Sequence, residues 1–377
     1  MTLFSPTRML VLFCGFMSSS ACTSGATPNY PTSIAASDLR REGRVDLIVS
    51  NEGTNTLGIL FGNGDGTFLK PVSHSAGDGP VSVAVKDLNG DGIPDVVVAN
   101  SGASTVSVLL GNGDGTFRAR ADYPTGGSGA DPCCLAVADF NGDGKPDLAV
   151  ANTGTKTIAI LLGNGDGTFQ AAIGNPMTAS SVLSSIAAGE FNSDGNMDLV
   201  VTDSSADTAS ILFGNGKGAF PSQVNLSTDR APAAVAVGDL NRDGKLDLVV
   251  ANSAANTVGV YLGNGAGSFG GSVEYSVGTM PTFVALADLV GNGLLDLIAT
   301  DYLVSTVSVL QNHGDGTFSA QREYQAGDLP SSIAVGDLNG DGKPDLAVAN
   351  NGSGNATILL GNGDGTFLAG RAYVSGP

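Results

Sequence analysis

The chemistry this chain could do lies in nine-residue runs of the form Asp-x-Asn-x-Asp-Gly-x-x-Asp. In the run from Asp87 to Asp95, side-chain oxygens stand at positions 1, 3, 5 and 9, and position 7 can add its backbone carbonyl. Ca²⁺ is a hard cation that takes roughly six to eight oxygen ligands, and Gly at position 6 permits the sharp turn that wraps them around it. Five runs keep the full set. They are Asp87, Asn89, Asp91 and Asp95 with the Ile93 carbonyl; Asp139, Asn141, Asp143 and Asp147 with Lys145; Glu190, Asn192, Asp194 and Asp198 with Asn196; Asp239, Asn241, Asp243 and Asp247 with Lys245; and Asp337, Asn339, Asp341 and Asp345 with Lys343. A sixth run keeps Asp288, Asn292 and Asp296 but has Val290 at position 3, so only weak binding is expected there. The run from Asp38 to Asp46 places Arg40 where a ligand should stand, and its guanidinium is expected to fill the cation's place.

Clusters of Asp, Asn and Gly also make ordinary turns. A tight turn, however, needs no acid at position 9, and three crowded carboxylates repel one another without a cation. About five Ca²⁺ ions are therefore expected, with Ca²⁺ favoured over Mg²⁺ because so many protein oxygens converge. The run begins like an EF-hand loop but ends its ligands at position 9, and a strand follows where a helix should.

The elements that must hold these runs repeat seven times. The acidic runs start at residues 38, 87, 139, 190, 239, 288 and 337. A second marker, Gly-Asn-Gly-Asp-Gly-Thr-Phe, ends at residues 68, 117, 169, 220, 269, 318 and 367, in step with the first. Its Asp is replaced by Lys217 and Ala266 in two copies, which points to a structural turn whose Phe packs against the fold. A proline opens six of the seven units, at Pro31, Pro80, Pro132, Pro232, Pro281 and Pro330.

Each unit reads as four short strands, in the last copy Ser332–Asp337, Asp345–Asn350, Asn355–Leu360 and Phe367–Tyr373. Second and third strands such as Val96–Ala99 and Val106–Leu110 are apolar on both faces and must lie between two other sheets. First strands favour Ala, Ser and Gly beside Val, as a crowded central axis requires. The fold class is therefore all-β, a seven-bladed β-propeller of four antiparallel strands per blade, with the acidic loops between first and second strands. Closure into a ring removes the need for capping repeats. How the ring closes is left open by the sequence, because the units begin and end in the same phase and no strand is evidently displaced to complete a blade.

Composition narrows the function. The formal charge is −19 with only 17 Lys+Arg, which leaves no electrostatic footprint for nucleic acid or an anionic membrane. Residues 1–26 read as a signal peptide, with Arg8, the apolar run Met9–Met17 and small residues up to Cys22. Ser20-Ala21-Cys22 resembles a lipobox, although Ser19 stands where Leu is usual, so a lipid anchor at Cys22 is an alternative to plain secretion. The propeller then occupies residues 27–377. No apolar run is long enough to span a bilayer. Cys14 leaves with the signal. Cys133 and Cys134 are neighbours on a strand, so their side chains should point to opposite faces and fill small core positions, with a strained vicinal disulfide as the lesser alternative.

At the acidic runs, and at Leu60-Phe-Gly62 and Leu212-Phe-Gly214, the chain resembles the FG-GAP/VCBS repeat family, whose propeller is similar to the head of integrin α subunits. The resemblance covers about Pro31–Pro377. It implies Ca²⁺ in loops on one face, and roles in extracellular adhesion, in glycan binding, or as a scaffold beside catalytic modules. Only His74 and His313 are present, in turn-like contexts, and no nucleophile–base arrangement is evident, so no enzyme activity is expected. The expectation is a secreted or envelope-associated, monomeric module that binds an extracellular protein. A calcium-dependent lectin is the alternative, and a calcium-assisted polysaccharide lyase a more distant one. Tyr123, Tyr275, Tyr324 and Tyr373 recur at fourth-strand ends, where they could line sugar pockets or simply pack.

Overall fold

The computed structural model describes residues 28–176 and 182–376. The signal-like segment, with Cys14 and Cys22, lies outside them. Seven four-stranded antiparallel sheets follow one another along the chain, each made of four consecutive strands. Blade 2 shows the pattern with Pro80–Lys86, Asp95–Asn100, Thr105–Leu109 and Ala121–Pro124. First strands neighbour one another around the ring and so line its axis.

The doubly apolar second and third strands do what their composition demands. All six residues of every second strand are buried, and seven apolar clusters fill the seven gaps between adjacent blades. One of these joins Ile34, Leu47 and Leu60 of blade 1 to Leu338, Ala347 and Ile358 of blade 7. Closure thus uses the same kind of core as every other joint.

Fourth strands are shorter than expected. In blade 7 the strand is Arg371–Val374, and Phe367 makes only an isolated bridge to Gly361 before the chain leaves the ladder. That Phe instead stands edge-on to Tyr324 of blade 6 at 5.2 Å. The equivalent pairs Tyr123–Phe169, Tyr275–Phe318 and Tyr373–Phe68 also cross blade boundaries. The recurring tyrosines therefore pack between blades. His74 occupies the same position and meets Phe117 edge-on, so it belongs to the fourth strand of blade 1 and not to a turn. Burial lowers its pKa.

The in-phase closure has a polar component as well. Every second strand ends in a buried Asn or Asp, and in blades 1, 2, 3 and 7 that Asn bonds the segment that ends the preceding blade. Gly77 N–H donates to Asn100 at 3.1 Å, Gly327 N–H to Asn350 at 3.1 Å, and Asn152 donates to the Thr125 carbonyl at 2.9 Å. Asn51 donates to the Ser375 carbonyl at 2.9 Å, so the segment after the last strand completes the ring as one more copy of this joint.

Blade 6 departs from the pattern with Asp301. Its Oδ2 accepts from the Ser308 and Thr306 hydroxyls at 2.7 and 3.0 Å, while Oδ1 is buried with no hydrogen-bond partner. Burial, with Glu323 nearby, pushes its pKa to about 6 against the pull of those hydroxyls. A carboxyl whose folded pKa is raised contributes stability at low pH and loses it as pH rises through the window from its unfolded value to about 6. Asp301→Asn restores the residue found at Asn100 and Asn350. It is expected to stabilise the protein by about 1–3 kcal/mol at pH ~7.5 and by almost nothing near pH ~4. Urea midpoints at the two pH values check this, and an equal effect at both would contradict it.

Candidate functional site

The acidic loops and the Gly-rich turns lie at the same end of the blades, because one joins strands 1 and 2 and the other joins strands 3 and 4. In three blades a backbone bond also rests the turn on the loop of the blade before it. Gly218 N–H donates to the Phe140 carbonyl at 3.0 Å, Gly267 N–H to Phe191 at 2.8 Å, and Gly66 N–H to Leu338 at 3.1 Å across the closure. The two markers keep step in sequence because they form one inter-blade joint. Where the turn loses its Asp, the Asn two residues earlier takes over, Asn215 accepting from Lys217 N–H and Asn264 from Ala266 N–H.

Within each loop the side chains order the backbone. Asp87 accepts from Gly90 N–H at 2.7 Å and Gly92 N–H at 2.8 Å, Asn89 from Asp91 N–H at 2.9 Å, and Asp91 from Ile93 N–H at 2.8 Å. Gly90 and Gly92 hold φ of 77° and 75°, a region that side chains resist. These bonds hold Asp87 below the usual carboxylate range in spite of some burial. Positions 1, 3 and 5 remain at the surface. Their oxygens are of the hard type that suits Ca²⁺, but no three acidic side chains among the described residues are arranged around a common point as a closed metal site. Lys145, Lys245 and Lys343 at position 7 bring their ammonium groups within 3.5, 3.5 and 3.8 Å of Asp143, Asp243 and Asp341.

Position 9 behaves differently. Asp46, Asp95, Asp147, Asp198, Asp247, Asp296 and Asp345 are all fully or almost fully buried. In Asp95, Oδ2 accepts from Leu88 N–H at 2.9 Å and Oδ1 from Gly111 N–H at 2.8 Å. The same two bonds occur in all seven blades, including the Arg40 loop (Leu39 and Gly62) and the weakened sixth (Leu289 and Asn312). The carboxylate thus ties the loop to the end of the third strand, a structural use for an acid that turn chemistry alone does not supply. Burial raises the pKa of Asp95, with Asp91 and Asp87 adding to the rise and the two backbone bonds opposing it. The sequence held a signal for this role, because position 9 stays Asp where positions 3 and 5 have drifted.

Blade 1 carries its own cation. Arg40 donates to Asp46 Oδ1 at 2.9 Å and to the Gly62 carbonyl at 2.7 Å, approaches Glu42 at 3.4 Å, and lies 4.8 Å from the centre of the Phe61 ring. Its guanidinium sits between positions 5 and 9 of its loop.

Six overlapping stretches, residues 38–98, 87–150, 139–201, 190–250, 239–299 and 288–348, match the FG-GAP-like repeat, and residues 329–368 match the FG-GAP repeat. No curated protein sequence matches the chain. Among solved structures it is similar to an Agrocybe aegerita lectin described as recognising non-reducing terminal N-acetylglucosamine, with 21% identity, 91% of this chain and 94% of that one covered, and a TM-score of 0.60. It is also similar to the virginiamycin B lyase of Staphylococcus aureus, with 14% identity, 86% and 94% coverage and a TM-score of 0.59. A third similar structure is a protein from Lactobacillus plantarum, with 13% identity, 91% and 96% coverage and a TM-score of 0.64. At such identities these likenesses speak to the fold alone.

Proposed function

The chain belongs to the FG-GAP-like repeat family, and from that premise we propose that it is an exported, calcium-binding propeller that acts by binding and not by catalysis. Its partner on this reading is an extracellular protein, which the monomeric ring engages as an interaction or adhesion module. The observation that carries the proposal is the gathering of all the acidic loops at one end of a rigid ring, five of them with oxygen side chains at positions 1, 3, 5 and 9. Ca²⁺ would be held by the loops from Asp87, Asp139, Glu190, Asp239 and Asp337, more weakly by the Asp288 loop, and not by the Asp38 loop, where Arg40 already bonds Asp46. The ion would supply positive charge to positions 1, 3 and 5, most acutely in the blade 4 loop, where Asn196 stands at position 7. Export rests on the signal-like residues 1–26, with a lipid anchor at Cys22 as its variant.

A second reading, glycan binding, is favoured by an open cleft of about 440 Å³ between blades 6 and 7. Tyr324, Gln325, Thr357 and Phe367 are among its walls. The likeness in fold to a lectin is consistent with that reading. Native mass spectrometry of the purified protein at millimolar Ca²⁺ is expected to show about five bound ions, and a metal-free ring would overturn the calcium reading. A glycan array run with and without Ca²⁺ separates the partners. It stays silent if the module binds protein, and gives a calcium-dependent signal if the second reading holds.

A further inference from the structure

We propose that Cys133 and Cys134 are a dithiol site that closes reversibly to a vicinal disulfide by exchange with a small disulfide. The first strand of blade 3, Pro132–Ala138, carries a β-bulge. Cys134 faces Ala151 and Pro132 faces Asn152, so Cys133 is an extra residue with no partner across the ladder. A bulge turns its residue out of the strict alternation of a strand. The two neighbouring side chains therefore do not diverge to opposite faces as regular alternation expects. Their sulfurs lie 2.8 Å apart, both residues are half-buried, and they are not joined in a disulfide.

The same bulge recurs in the other blades, and in four of them its side chain has a different task, Val81 and Ala233 being the exceptions. Thr32, Ser184, Thr282 and Ser331 donate from this position to the carbonyls of Pro80, Pro232, Pro330 and Pro31, the residues that open the next blade. In blade 3 that role passes to Thr153, whose hydroxyl donates to the Leu183 carbonyl at 3.0 Å. Cys133 is thereby released from the inter-blade bond and turned toward Cys134. The inference does not depend on calcium, on export or on the binding partner.

The chemistry is two successive thiol–disulfide exchanges. One cysteine thiolate attacks a sulfur of oxidised glutathione, forming a mixed disulfide and releasing one glutathione thiolate. The other thiolate then attacks the protein sulfur of that mixed disulfide, forming the Cys133–Cys134 bond and releasing the second glutathione. The dithiol loses two electrons and two protons, and one glutathione disulfide becomes two glutathione thiols.

The test equilibrates the purified protein across ratios of reduced to oxidised glutathione, alkylates it, and reads the tryptic peptide from Ala121 to Lys156 by mass spectrometry. At the oxidising end both residues are expected to lose alkylation together, in a peptide two hydrogens lighter, and a reductant is expected to restore both. Cys134→Ser is expected to leave a lasting glutathione adduct on Cys133. A peptide carrying two glutathiones, one still alkylated twice at the oxidising end, or one linked to a second chain would each overturn the proposal. The double variant Cys133→Ser/Cys134→Ser controls for folding, because Ser184-Ser185 and Ser331-Ser332 already occupy these positions in blades 4 and 7. Its melting temperature is expected to be indifferent to the glutathione ratio.

Discussion

In metal-free buffer, Asp147→Ala is expected to destabilise the propeller by roughly 2–6 kcal/mol, while Asp143→Ala, four residues earlier, costs under about 1 kcal/mol. Asp147 is fully buried and accepts from Phe140 N–H at 2.9 Å and from Gly163 N–H at 2.7 Å. Truncation leaves both donors without a partner where water cannot replace it, and each such donor costs about 1–3 kcal/mol. Asp143 lies at the surface, where its bond to Lys145 N–H can pass to solvent. Both residues would be ligands of one ion if Ca²⁺ binds, so a comparison with calcium present would confound the two roles. With chelator present it isolates the backbone tie. Denaturant midpoints measured in EDTA decide the matter, and equal losses for the two variants would show that position 9 serves the metal alone. Asp46→Ala in blade 1 is expected to rank with Asp147→Ala, because it frees the Leu39 and Gly62 donors and strands the Arg40 guanidinium as well.

The ring was legible because its signal is repeated. Two markers moving in step, four apolar runs per unit and strands apolar on both faces leave few architectures other than a propeller, and the sheets follow that division blade by blade. Less legible was anything that depends on which neighbour a side chain meets. The sequence assigns the position-9 acid to a cation, since nothing local shows that Gly111 or Gly163, sixteen residues later, would present an N–H to it. The fourth-strand tyrosines could have faced solvent or a neighbour, and only the placing of the next blade's Phe decides that they pack. Alternation likewise predicts opposite faces for Cys133 and Cys134, and a single bulge reverses it. Closure was indeterminate for a similar reason, because the joint between Asn51 and Ser375 links residues at opposite ends of the chain.

Chelation of calcium should lower the melting temperature more than any single loop substitution. If five loops each hold Ca²⁺ at about ten times its Kd, each adds roughly 1.4 kcal/mol by linkage, or about 7 kcal/mol in all. That is comparable to the whole net stability of an ordinary domain. Electrostatics acts in the same direction, because the formal charge of −19 includes the carboxylates of every loop gathered at one end of the ring. The loops should not respond equally. Blades 3, 5 and 7 keep an ammonium near their position-5 carboxylate through Lys145, Lys245 and Lys343. In blade 2, where position 7 is Ile93, Arg118 lies 3.9 Å from Asp91 and gives the same relief, whereas Asn196 at position 7 of blade 4 cannot. Asp194→Ala should therefore remove more calcium-dependent stability than Asp91→Ala or Asp143→Ala, yet each only a fraction of the total, since each loop ties a hairpin within its own blade. Melting curves in Ca²⁺ and in EGTA, for the parent and the three variants, measure this directly. A parent curve indifferent to EGTA would mean that positions 1, 3 and 5 serve only the loop's own N–H groups. A calcium-dependent loss that vanished entirely with one substitution would instead locate all of the effect in a single ion.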